Sequence, residues 1–128
     1  MITIDNVLDV ANKDLFAHNY IIDQVPGVTL IGRQIINFDD ILIYPLGNTV
    51  RKGGSDDGNV QELFVDMGVS IRLNQCIPVV EKLKTGISKD GKIYWYRLSD
   101  GYNRCSALRL LNMKQYWFDI VSFSEGKE

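Results

Sequence analysis

The chain has 128 residues, which is enough for one domain with a single hydrophobic core. Its apolar content of 45% is ordinary for a globular protein, and its formal net charge of −2 argues against a generally basic nucleic-acid binder. No apolar run approaches the ~18 residues of a membrane span, and the N-terminus lacks a basic segment followed by an apolar stretch. We therefore expect no membrane partner and no signal peptide.

The charges are unevenly distributed along the chain. Residues 1–50 hold two basic and six acidic side chains, residues 51–114 hold eleven basic and seven acidic, and residues 115–128 hold one basic and three acidic. A cationic middle segment on an acidic body suits a discrete anionic ligand better than a long DNA track. The alternative is a random scatter of surface charge.

The cysteines and the histidine indicate neither a disulfide scaffold nor a metal site. Cys76, Cys105 and His18 are widely separated and do not have the spacing of zinc ligands. We interpret the two cysteines as reduced thiols in a cytoplasmic protein, and we assign no metal ligand and no catalytic role to His18.

The first part of the chain predicts an extension followed by strands. Residues 1–27 form an N-terminal extension with weak helical periodicity that ends at a Pro-Gly turn. Residues 28–38 then alternate as a strand interrupted by Gly32, and residues 41–44 return to extended structure after a short turn. Residues 46–58 are a loop rich in Gly, Asn and Asp.

The second part of the chain predicts a helix, a hairpin and a closing strand. Residues 60–71 have a helical apolar stripe, residues 77–83 and 92–98 are strands joined by an Asp-Gly turn, and a short helix occupies residues 105–111. Residues 116–123 are the last strand and residues 124–128 a polar tail. The pattern indicates one α+β domain over residues 28–123, with a mixed sheet and two or three helices.

The junction between the second hairpin strand and the short helix carries the most informative motif, Asp100-Gly101-Tyr102-Asn103-Arg104-Cys105-Ser106-Ala107. A glycine there lets the backbone turn tightly and approach a ligand. The N-terminus of the helix offers amide N–H groups and a partial positive charge, and Arg104 adds a planar fork suited to phosphate or carboxylate. The motif therefore predicts a small phosphate site.

This motif and the order of the elements resemble the ParB N-terminal-like and sulfiredoxin-like superfamily. Residues 100–107 are similar to its Gly-x-x-Arg-x-x-Ala phosphate box, and residues 70–72 followed by 75–80 are similar to its Ser-Ile helix end and Pro-Val-Val strand. Residues 37–44 with Asn48 and Arg51, and the closing strand at 117–121, extend the resemblance over roughly residues 33–123. It implies the ParB/sulfiredoxin-like fold in a stand-alone domain of the kind carried by phages and mobile elements.

Two departures narrow what the resemblance implies. Tyr102 stands where sulfiredoxins have their catalytic cysteine, and Cys105 stands where partition-type ParB proteins have a second arginine. Sulfinic-acid reduction is therefore not expected. No helix-turn-helix pattern follows the closing strand, so we expect no element here that reads the major groove of DNA.

The candidate binding residues follow from the motif and the resemblance. We expect seven residues to contact a phosphate or a nucleotide. These are Asn48, Arg51, Gly101, Tyr102, Asn103, Arg104 and Ser106. The simpler alternatives are a turn glycine at Gly101, a surface ion pair of Arg104 with Asp100 or Asp119, and a solvated loop at Arg51. Tyr94, Trp95 and Tyr96 alternate on a strand, and an exposed Tyr or Trp among them could stack a base, although packing in the core or on the sheet is favoured.

The candidate catalytic residues are Glu62 and Asp100, which could act as a base or hold a metal beside a phosphate. An exposed helix position for Glu62 and a turn-stabilising role for Asp100 are favoured over those roles. Mg²⁺ could accompany the phosphates as a cofactor.

Three functional hypotheses remain open from the sequence. The first is a domain that binds a nucleotide or nucleic-acid phosphate and acts in DNA processing, in the cytoplasm of a bacterial or phage-infected cell, as a homodimer or within a larger complex. The second is a metal-dependent nuclease or an NTP-using phosphotransferase on the same fold. The third is a protein-interaction module without catalysis.

Overall fold

The computed structural model describes residues 7–9, 18–43 and 77–123. These residues form a mixed α/β arrangement of one five-stranded sheet and two α-helices, which confirms the expected class. The predicted loop at 46–58 and helix at 60–71 lie outside the described residues. In chain order the elements are a 3₁₀ helix (Val7–Asp9), α1 (Tyr20–Gln24), β1 (Val28–Asn37), a 3₁₀ helix (Phe38–Asp40), β2 (Ile41–Leu42), β3 (Val79–Lys89), β4 (Lys92–Asp100), α2 (Tyr102–Leu110) and β5 (Gln115–Phe123).

The sheet has the strand order β1-β5-β3-β4-β2. β5 pairs antiparallel with β1 and parallel with β3, β4 pairs antiparallel with β3, and β2 pairs parallel with β4. The β3–β4 hairpin turns at Asp90 and Gly91, whose φ angles are 53° and 81°. Positive φ at both turn positions is what the Asp-Gly signature predicts.

The two faces of the sheet bury different clusters. Val80 and Ile120 are paired across β3 and β5 and pack with Leu108 of α2, on the same side as the edge-to-face pair of Phe38 and Phe118. The opposite face packs a smaller cluster, Ile21, Val79 and Val121, beneath α1. The alternation of strand side chains therefore places α2 on one face of the sheet and α1 on the other.

A charged pair is buried between β1 and β5. Asp119 is fully buried and lies directly opposite Arg33, whose Nε donates to Oδ1 at 2.6 Å and whose terminal nitrogen donates to Oδ2 at 3.1 Å. The side chain of Arg33 is only 3% exposed. A carboxylate at this depth needs a charged partner with good geometry, and the two-point contact with Arg33 supplies it.

The helix of the motif begins earlier than the sequence predicted. We expected it to start at Cys105, but α2 starts at Tyr102, so Tyr102, Asn103 and Arg104 lie within the helix and not in a preceding loop. Gly101 takes the capping position itself, and nothing in Tyr102-Asn103-Arg104 opposes helical geometry. The helix ends at Leu110, just before Asn112, which has a left-handed φ of 66°.

Replacing Arg33 by Leu is predicted to destabilise the fold by about 3 kcal/mol, because it leaves the Asp119 carboxylate buried without its main partner. Urea unfolding monitored by circular dichroism measures the loss. Arg109→Leu, at an exposed position of α2, is the matched control and should change stability by less than about 0.5 kcal/mol. The double variant Arg33→Leu/Asp119→Leu should recover much of the loss, and equal effects of Arg33→Leu and Arg109→Leu would contradict the assignment.

Candidate phosphate site at the start of α2

The turn between β4 and α2 is fixed by a close contact between Gly101 and Pro78. Gly101 has φ 103° and ψ 26°, a left-handed conformation that side chains other than glycine rarely adopt. A Cβ atom at this position would lie 2.8 Å from Cβ of Pro78 and 3.0 Å from its Cα. The glycine is therefore required both for the turn and for the close approach of the helix start to Pro78, just before β3.

The first turn of α2 presents backbone donors and itself contains no acidic residue. The first intrahelical hydrogen bond runs from the Cys105 N–H to the Gly101 carbonyl at 2.9 Å, so the amides of Tyr102 and Asn103 precede the helical ladder. The first turn holds no acidic residue, whereas Arg104 lies within it. The backbone dipole and Arg104 both add positive charge at this end of the helix, opposite in sign to the Asp100 carboxylate that precedes Gly101.

The predicted binding residues of this helix are half-buried, and Asn103 has a buried side-chain oxygen that accepts no hydrogen bond. Tyr102, Asn103, Arg104 and Ser106 all have intermediate exposure. Oδ1 of Asn103 is buried and accepts no hydrogen bond. Because buried polar atoms are normally paired, this oxygen marks a place for a donor such as a water, a hydroxyl or an amino group of a ligand.

Asp100 is engaged by the N-terminal segment. Its Oδ2 accepts a hydrogen bond at 2.6 Å from Nδ2 of Asn19, and Oδ1 of Asn19 in turn accepts from the Ile21 N–H at 3.0 Å, which caps α1. This contact supports the structural interpretation of Asp100, because the carboxylate ties the turn of the motif to α1. The other candidate acid, Glu62, lies outside the described residues, as do Asn48 and Arg51.

The thiol of Cys105, the cysteine of the motif, is not positioned to react as a nucleophile. Cys105 is buried beneath α2, and burial raises the pKa of its thiol from 9.0 to about 12, against the opposing effect of Arg104. The thiol is therefore protonated at neutral pH, and it is a poor nucleophile in that form. Burial likewise raises the pKa of the neighbouring Tyr116 hydroxyl from 10.0 to about 12.

Sequence reasoning missed an ionic cluster beside this turn. His18, which received no role, places Nδ1 2.9 Å from Oδ2 of Asp119 and 3.0 Å from the terminal nitrogen of Arg33. Asp119 thus has Arg33 and His18 as partners. One signal was present, since Asp119 interrupts an apolar strand and Arg33 is the only lysine or arginine between Lys13 and Arg51.

Strand register brings the cluster close to the turn. Val79 pairs with Asp100 on one side and with Asp119 on the other, and Asp119 pairs with Arg33. The Asp119 N–H also donates to the Pro78 carbonyl at 3.0 Å. The two aspartates are therefore about 10 Å apart across β3, given the usual spacing of strands.

Comparisons with known proteins leave the family unassigned. No protein-family model, curated protein or solved structure matches the chain.

Within the part of the chain that the structure describes, no three His, Cys, Asp or Glu side chains are grouped so as to hold a metal ion. Among the same residues, none of the helices has the length and apolar character needed to cross a membrane.

The buried thiol and phenol predict a loss of stability at alkaline pH. Both groups ionise at lower pH in the unfolded chain than in the fold, near 9.0 for Cys105 and 10.0 for Tyr116 against about 12 for each when folded. Their contribution is therefore complete below about pH 9 and falls as the pH rises toward 12. Urea unfolding across this range should show the decline, and Cys105→Ala should remove the part that begins near pH 9. A Cys105→Ala profile with the same slope as wild type would contradict it.

Proposed function

We propose that this protein binds the phosphate of a nucleotide or nucleic acid at the start of α2 and acts in DNA processing. The observation that carries the proposal is the positive first turn of α2, held by a left-handed Gly101 against Pro78. A helix N-terminus reached through a glycine turn lets phosphate oxygens approach the backbone donors directly. The resemblance of residues 100–107 to the ParB-like phosphate box supports the same ligand class.

Each residue of the turn has a distinct part in this proposal. The amides of Tyr102 and Asn103 donate to phosphate oxygens, and the Arg104 guanidinium neutralises their charge. The buried Oδ1 of Asn103 accepts from a hydroxyl or amino group of the ligand. Ser106 lies one helical turn beyond Tyr102 and is a further donor at the edge of the same site.

The charge of the surrounding segment favours an anion. Residues 51–114 hold eleven basic and seven acidic side chains on a protein with a net charge of −2. Such local positive charge raises the rate at which an anionic ligand arrives and its affinity at low salt. Mg²⁺ would contribute by bridging phosphate oxygens, which is why the binding test includes it.

A thermal-shift screen tests the proposal with inorganic phosphate, nucleoside mono- and triphosphates and short DNA, each with and without Mg²⁺. A ligand at ~100 times its Kd adds about 2.7 kcal/mol of stability. For a domain of this size, that corresponds to several degrees in Tm. We expect such a shift for the wild type and its loss in Arg104→Gln.

The control variant is Arg109→Gln, which removes the same charge from the exposed last turn of the same helix. It should keep the ligand-induced shift. An equal shift in Arg104→Gln and Arg109→Gln would show that general positive charge attracts the ligand, and no shift with any ligand would overturn the proposal.

A further inference from the structure

His18 holds one ring nitrogen against a buried carboxylate and leaves the other unpaired. Its Nδ1 lies 2.9 Å from Oδ2 of Asp119, whose side chain is fully buried. The side chain of His18 is 40% exposed, and among the described residues its second nitrogen, Nε2, has no hydrogen-bond partner. The ring is therefore oriented through one nitrogen while the other remains available.

The buried carboxylate determines the tautomer of this ring. Because Arg33 makes a two-point contact with Asp119, the group is a carboxylate whose Oδ2 can only accept. Nδ1 of His18 must then carry the hydrogen of the 2.9 Å contact, since two acceptors at that distance would repel each other. The terminal nitrogen of Arg33, 3.0 Å from Nδ1, directs its hydrogen to Oδ2 at 3.1 Å instead. In the neutral ring Nε2 consequently holds the lone pair.

The fold does not need His18 in order to pair the charge of Asp119. Arg33 already contacts both carboxylate oxygens, and its own side chain is only 3% exposed. A contact from a ring that is 40% exposed adds little to stability. The third partner of this carboxylate therefore calls for an explanation other than charge pairing.

The arrangement is that of a positioned general base. A carboxylate that accepts from Nδ1–H holds an imidazole in one tautomer and orientation, and it stabilises the imidazolium that forms when Nε2 takes a proton. Imidazole is the side chain best suited to accept and return a proton near neutral pH. Asp119 is a positioning residue in this interpretation, and Arg33 holds it in place.

His18 lies beside the turn that leads into α2. The next residue, Asn19, donates from Nδ2 to the Asp100 carboxylate at 2.6 Å, directly before the glycine of the turn. On the other side, the N–H of Asp119 donates to the carbonyl of Pro78, which packs against the same glycine. Two short chains of contacts thus join His18 to the proposed phosphate site.

We propose that His18 is a general base that activates water for the hydrolysis of a phosphate ester or anhydride bound at the start of α2. This inference rests on the proposed phosphate site. The water oxygen bonds to phosphorus while Nε2 takes a proton from that water. The bond from phosphorus to the leaving oxygen breaks with its electron pair on the oxygen, and the imidazolium returns the proton there. Arg104 and the first amides of α2 stabilise the charge on the remaining phosphoryl oxygens.

The test measures hydrolysis of bis(4-nitrophenyl) phosphate, of ATP, CTP, GTP and UTP, and of an oligothymidine, each with and without Mg²⁺. His18→Gln keeps an amide that can donate to Asp119 but cannot take a proton. It should lower kcat by about 100-fold or more and keep the ligand-induced shift in Tm. Turnover of a nucleoside triphosphate alone would identify a nucleotide as the substrate, whereas cleavage of the oligothymidine would identify a nucleic acid.

Chemical rescue separates a base from a structural residue. In His18→Ala, added imidazole should restore part of the rate in proportion to its concentration, because it supplies the missing base. The matched control is Arg104→Gln, which weakens substrate binding and leaves the base in place. It should raise KM and should not respond to imidazole.

The outcomes separate this inference from the proposed function. Undiminished turnover in His18→Gln, or a wild type that binds a ligand and hydrolyses none of the probes, would overturn the inference and leave the phosphate site standing. Turnover and ligand-induced shift lost together in His18→Gln would contradict the role of a base. Turnover lost in His18→Gln but unchanged in Arg104→Gln would support the base and contradict the site at α2. Neither binding nor turnover would overturn both proposals.

Discussion

The buried ion pair between Asp119 and Arg33 is the constraint on which the arrangement of this protein depends. A fully buried carboxylate in the middle of β5 is tolerated only because the guanidinium opposite it on β1 makes two short contacts. His18 adds a third contact, so the segment before α1 is joined to the same carboxylate. One charged group thereby fixes the register of two strands and the position of the N-terminal segment.

The start of α2 is connected to this pair through β3. The backbone of Asp119 bonds to the carbonyl of Pro78, and Pro78 packs against Gly101 at the turn into the helix. Asn19, the residue after His18, holds Asp100 on the other side of the same turn. The turn before α2 is thus held by Pro78 on one side and by Asn19 on the other, which would keep the proposed site formed before its ligand arrives.

Local signals in the sequence were sufficient for much of the fold. Alternation predicted β1 and β5, the Asp-Gly pair predicted the hairpin, and the glycine after Asp100 predicted the turn that Gly101 makes. These features depend on residues close together in sequence, so they can be read without the tertiary structure. The start of α2 was wrong by three residues because Gly101 caps the helix with its backbone and provides no side-chain signal.

The missed features depend on contacts between distant residues. Arg33 and Asp119 are 86 positions apart, and only the register of β1 against β5 makes them partners. The half-exposure of Trp95 depends on the irregular pairing of residues 83–86 opposite it, which no local signal announces. Composition indicated a cationic segment, but it did not show where in the fold its charges lie.

The most direct test of the central claim is an amide chemical-shift titration of the ¹⁵N-labelled protein, first with inorganic phosphate and then with the nucleotide that stabilises it most. The account predicts that the amide signals of Tyr102 and Asn103 shift first and furthest, because these donors precede the hydrogen-bond ladder of α2. Unchanged signals at these two residues, with shifts elsewhere in the protein, would contradict the account.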